Sequence, residues 1–67
     1  MSPKTIEHIG KAAEHLDHAV TAYSEAKKAY NSGDHDRAAG HALAAHGHTL
    51  NASHHAGEAH KHHAQES

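Results

Sequence analysis

The sequence predicts an all-α fold, an antiparallel two-helix hairpin that dimerises into a four-helix bundle. Three observations predict it. Apolar residues, interrupted by Lys27, run at alternating spacings of three and four from Ile6 to Tyr30. A short break, Asn31-Ser32-Gly33-Asp34, interrupts the pattern. Histidines then recur every seven residues on both sides of that break, and seven residues are two helical turns, so each series is a stripe along one side of a helix.

The first helix is expected over about residues 4–31. Pro3 suits an opening helical turn and Ser2 precedes it as a candidate N-cap. Ile6, Ile9, Ala13, Leu16, Val20, Tyr23, Lys27 and Tyr30 form a heptad seam, and Ala12, Ala19 and Ala26 widen its edge. The turn falls at 32–34, where Gly33 takes a left-handed C-terminal position and Asp34 caps the second helix. So short a link between two long helices favours an antiparallel hairpin.

The second helix is expected from about residue 35 to 64, with a frayed tail at 65–67; residues 1–67 make a single domain. Its apolar arc is mostly small, with Ala38, Ala42, Ala45, Thr49, Ala52 and Ala56 along one edge and Leu43 and Leu50 on the other. Gly40, Gly47 and Gly57 each cost about 1 kcal/mol relative to alanine inside a helix. This helix is therefore the less stable partner, yet it carries nine of the twelve histidines. With no Phe and no Trp the core is small, so stability is expected to draw on bound metal or on self-association.

Composition narrows the chemistry. The formal charge is −2 with neutral histidines and rises to +10 when all twelve are protonated, across a pH range around the ordinary imidazole value of about 6.5. Six scattered Lys and Arg residues make no basic patch for nucleic acid. The absence of cysteine excludes disulfides, zinc fingers and iron–sulfur clusters, and removes the thiolates that favour Cu(I). No segment approaches the roughly 20 apolar residues of a membrane span. Met-Ser-Pro-Lys is not the start of a secretory leader, which fits either a cytoplasmic protein or a mature form made without its leader.

Histidine is the commonest metal ligand, and the candidate ligands fall into groups. His54, His55, Glu58, His60, His62, His63 and Glu66 pack five imidazoles and two carboxylates into about three turns, the densest ligand field in the chain. On the first helix Glu14 and His18 are four apart and His15 and His18 three apart, spacings that share a face. In an antiparallel hairpin, residues whose numbers sum to about 65 come level. That sets His18 near His48, His15 near Asn51 and His8 near Glu58, and allows a site of Glu14, His18 and His48. The stripe His41, His48, His55 and His62 is expected to face away from the alanine edge. His46 and His60 fall in the apolar arc, where a buried neutral imidazole is as good a reading as a ligand. Imidazole and carboxylate without sulfur suit Cu(II), Ni(II) or Zn(II), with Cu(II) first by the Irving–Williams order.

The heptad-spaced histidines and the A-x-x-H and E-H or A-H steps (Ala12 to His18, Ala45 to His48, Glu58 to His62) resemble the small periplasmic metal-binding protein family of ammonia-oxidising bacteria. The resemblance covers most of residues 5–64 and is one of pattern and composition. It implies a helical bundle that binds several divalent ions, copper among them, in the periplasm. The present chain has room for two helices instead of four, which is why a homodimer is expected. A second echo, Ala29 to Ala38, is similar to the corner of a tetratricopeptide repeat, but one corner makes no array.

Three classes of function are open to such a chain. The leading expectation is non-enzymatic binding, buffering or delivery of divalent transition metals. The second is a pH-responsive interaction module whose histidines charge together and open an interface. The third is a small accessory subunit docking on a larger complex. An enzyme is not expected, because the sequence offers no nucleophile–base–orienter set and no phosphate-cradling loop.

Overall fold

Ser2 closes the start of the first helix: its Oγ accepts the Thr5 N–H at 3.2 Å, and Pro3 occupies the first turn, where a missing N–H costs nothing. The computed structural model describes residues 2–66, with side chains to residue 65. It contains two helices, α1 (Pro3–Asn31) and α2 (His35–Glu66), packed as a hairpin about 52 × 12 × 10 Å between Cα extremes. The helix at α2 continues through Gln65 and Glu66, beyond the expected fraying point, and Ser67 lies outside the described residues.

The turn is built as its residues dictate. Gly33 sits at φ 84°, a left-handed conformation that a Cβ would strain. The Gly33 N–H donates to the Tyr30 carbonyl at 3.1 Å and the Asp34 N–H to the Ala29 carbonyl at 2.9 Å, the paired bonds of a Schellman stop. Asp34 Oδ1 then accepts the Arg37 N–H at 3.2 Å and caps α2. One tight link ends one helix, reverses the chain and starts the next.

The packing face differs from the expected seam. Ile6, Ile9, Leu16, Val20, Tyr23 and Tyr30 are all exposed, and so are Leu43 and Leu50. Among the described residues, the buried set is Ala19, Ala26, Ala29, Ala38, Ala45, Ala52 and Ala59 with Thr5. On α1 the alanine edge, expected only to widen the seam, is therefore the contact itself. On α2 the expected small-residue edge supplies Ala38, Ala45 and Ala52, joined by Ala59, while Thr49 and Ala56 are exposed. Two rows of small residues repeat every seven positions, and Thr5 with Ala59, Ala12 with Ala52, Ala19 with Ala45 and Ala26 with Ala38 all sum to 64, close to the expected register. The physical reason lies in α2. It has no continuous stripe of large side chains to mate with the α1 seam, whereas its alanine row matches the α1 alanine row in period and length. Alanine against alanine lets the backbones approach closely, and Ala38 and Ala45 lose all solvent exposure. At 100° per residue, Ile6 lies about 100° around α1 from Thr5, so the large seam is carried to one flank of the hairpin.

Candidate metal centre

Packing on the alanine rows decides where the histidines go. His41, His48, His55 and His62 each come three residues after a buried alanine (Ala38, Ala45, Ala52, Ala59), which puts them beside the helix contact. The stripe expected to face away from the alanine edge instead lines the groove next to it, and all four side chains are half-buried. His8 and His15 of α1 stand in the same relation to Thr5 and Ala12 and reach into the same groove.

The two sets interleave into a column. From one end it runs His62, His8, His55, His15, His48 and His18, alternating between α2 and α1, with successive ring centroids 5.5, 5.1, 5.7, 5.3 and 5.0 Å apart. Two of these steps are direct contacts. The Nδ1 atoms of His8 and His55 are 2.9 Å apart, and those of His15 and His48 are 3.0 Å apart. In each pair one Nδ1–H donates to a bare Nδ1 on the other ring, and either ring can play either part.

At the His62 end the column meets a carboxylate. His8, Glu58 and His62 each offer one ligand atom, and the three atoms lie within 4.8 Å of one another. All three side chains are half-buried. His62 and Glu58 are four apart on one helix, and His8 arrives from the other, level with Glu58 as the register requires. Among the described residues this is the group of three that converges.

The other candidate ligands are placed elsewhere. His60 and His63 line the opposite groove with Thr5, Ile9 and Ala59, so the dense field from His54 onward is divided between two sides of the hairpin. His46 and His60 are exposed instead of buried, because the arc they occupy is not the packing face. His54 is exposed with its ring edge-on to His55 at 5.4 Å. His41 prolongs the stripe, but α1 offers Ala22 at that level and no imidazole. His18 does stack on His48, whereas Glu14 points outward and pairs with Lys11 at 3.6 Å, so the Glu14–His18–His48 group is not assembled. The Glu66 side chain lies outside the described residues.

His55, in the middle of the column, is held below the ordinary imidazole range. Desolvation against α1 is the largest cause, followed by the charges of His8, His54, His15 and Lys11. The groups facing it are thus His8, His15 and Lys11 from α1 and His54 from its own helix, with Glu58 three residues on. The unfolded chain takes up this proton first, near pH 6.5. Between that value and the lowered folded one the unfolded state binds more protons, so stability falls as pH falls through this window. Urea melts in chelator at pH 7.5 and 5.0 should show that loss, and His55→Gln should reduce it. An unchanged pH slope in His55→Gln would refute the assignment.

No protein-family model matches this chain, and comparison with curated proteins and with solved structures finds no similar one.

Proposed function

We propose that this protein binds divalent transition-metal ions between its two helices, as a non-enzymatic buffer or carrier. The observation that carries the reading is the convergence of His8, Glu58 and His62 from both helices onto one point. Two imidazoles and a carboxylate are a ligand set for a borderline divalent ion, and a site with three protein ligands leaves positions open for water or for a receiving protein. The ion is cargo in this reading, and the groove that holds it is open to solvent on one side.

For a set of imidazoles and a carboxylate without sulfur, the Irving–Williams order puts Cu(II) first, ahead of Ni(II) and Zn(II). The His15–His48 pair, two helical turns along and flanked by His18, offers a second and weaker position. A periplasmic home and delivery to a partner protein fit an exchangeable cargo of this kind.

Titration of metal-free protein with Cu(II), Ni(II) and Zn(II), read by native mass spectrometry and competition with a chelator of known affinity, tests the proposal. At least one tight ion per chain in the order Cu(II), Ni(II), Zn(II) is expected, with a second ion bound more weakly. Binding no tighter than that of an unstructured peptide with the same number of histidines would refute it.

A further inference from the structure

We infer that the exposed α1 seam is the contact between two copies of this chain, with α1 lying antiparallel against α1 of the second copy. The first support is what the hairpin leaves uncovered. Among the described residues the buried ones are seven alanines and Thr5, while Ile6, Ile9, Leu16, Val20, Tyr23 and Tyr30 stand 48–66% exposed in one heptad row with Ala13 and Lys27. That row is about 40 Å long and about 10 Å wide, the scale at which an apolar patch marks an association surface. That row projects on the order of 400 Å², and the neighbouring groove lined by Thr5, Ile9, Ala59, His60 and His63 adds to the area a partner helix can cover.

The second support identifies the occupant. A two-fold contact requires a surface that complements itself. When two α1 helices run antiparallel with residue numbers summing to 36, every position of the seam meets another position of the seam. Ile6 meets Tyr30, Ile9 meets Lys27, Ala13 meets Tyr23 and Leu16 meets Val20, each layer occurring twice. The small Ala13 stands opposite the large Tyr23. Lys27, the one charge in the row, can lay its aliphatic stem on Ile9 and hold its ammonium in water. No other antiparallel register uses all eight positions, and a parallel in-register contact would set the Lys27 charges against each other. The histidine column lies on the opposite flank of the hairpin from the seam, so the contact leaves the metal groove open.

Sedimentation of the full chain in chelator tests this independently of metal binding. Twice the 7.1 kDa chain mass is expected. Leu16→Glu puts a charge in the two central layers and should weaken association by about 100-fold or more. Leu43→Glu, at a residue 73% exposed on the back of α2, should leave it unchanged. Because Leu16→Glu could also melt the hairpin, a nitroxide on a folded single-cysteine variant supplies a second readout. Asp17→Cys, beside the two-fold axis, should give an inter-copy distance below about 20 Å, and Lys4→Cys, 28 residues from its own level in the other copy, about 40 Å. A helical species of 7.1 kDa at about 100 μM would overturn the inference. So would a short Lys4→Cys distance, which would mean parallel α1 helices, or dissociation by Leu43→Glu in place of Leu16→Glu.

Discussion

Replacing His8 with glutamine is expected to weaken the tightest Cu(II) site by at least about tenfold, more than any other single histidine change. His8 is the one α1 residue of the converging group, and its ring lies 5.5 Å from His62 and 5.1 Å from His55 between centroids. Without it Glu58 and His62 remain as a two-ligand set on one helix turn, the kind of weak site that any exposed Glu and His four apart can form. Loss of His8 also severs the link between helices. Metal bound across α1 and α2 in the proposed centre would stabilise the hairpin by mass action, about 2.7 kcal/mol at a free ion concentration 100 times Kd. In the His8→Gln variant that gain should shrink with the affinity, so the rise in melting temperature on adding Cu(II) falls as well. Glu58→Gln keeps the shape and removes the charge, and should give a smaller loss. His63→Gln and His46→Gln, which alter side chains away from the column, should leave both readouts as they are. Competition titrations and melting curves on the four variants settle the order. Equal affinity in His8→Gln and His63→Gln would mean that ions bind to single helices, and the proposed centre would be wrong.

What the sequence made legible, and what it hid, divides along the range of the interactions. Local chemistry was legible. The Ser2 cap, Pro3, the Gly33 stop and the Asp34 cap depend on a few neighbouring residues, and they fall where expected. The register was legible too, because a short turn fixes which residues come level, and His8 therefore reaches Glu58. The choice of packing face was not. Ranking side chains by the area they can bury favours Ile6, Leu16 and Tyr23, but the face that packs must satisfy both helices at once. Among the apolar rows, only those of Ala12, Ala19 and Ala26 and of Ala38, Ala45, Ala52 and Ala59 match in period along both helices. The placement of the histidines hangs on the same choice. With the seam as the contact, His41, His48, His55 and His62 would point away from it. Their position three residues after Ala38, Ala45, Ala52 and Ala59 was the available signal, since residues three apart share a helix face. Sheer density of ligands proved a poorer guide than face: His60 and His63 sit in the same stretch as His62 and Glu58 but line the other groove.

Ala45→Leu is expected to destabilise the hairpin by about 1–3 kcal/mol, a fall of roughly 4–20 °C in melting temperature for a chain this small. Ala45 has no exposed surface and comes level with Ala19 across the interface. A leucine there adds three carbons where neither helix leaves room, so the helices must spread or the side chain must leave its rotamer. Spreading has a second consequence. His48 is three residues from Ala45, and its 3.0 Å contact with His15 depends on the close approach that alanine permits. The variant should therefore lose metal binding at that position as well as stability, although no ligand has been changed. Ala44→Leu, one residue earlier and exposed, should do neither. Leu43→Ala should stay within about 0.5 kcal/mol, because a side chain 73% exposed has little burial to lose. The pair of outcomes discriminates between two ways of packing the same sequence. A hairpin closed on its alanine rows is damaged by added bulk at Ala45 and indifferent to its removal at Leu43. A hairpin closed on its large side chains would show the reverse, tolerating Ala45→Leu or even gaining from it. Melting curves in chelator, where metal cannot hold the helices together, separate the two.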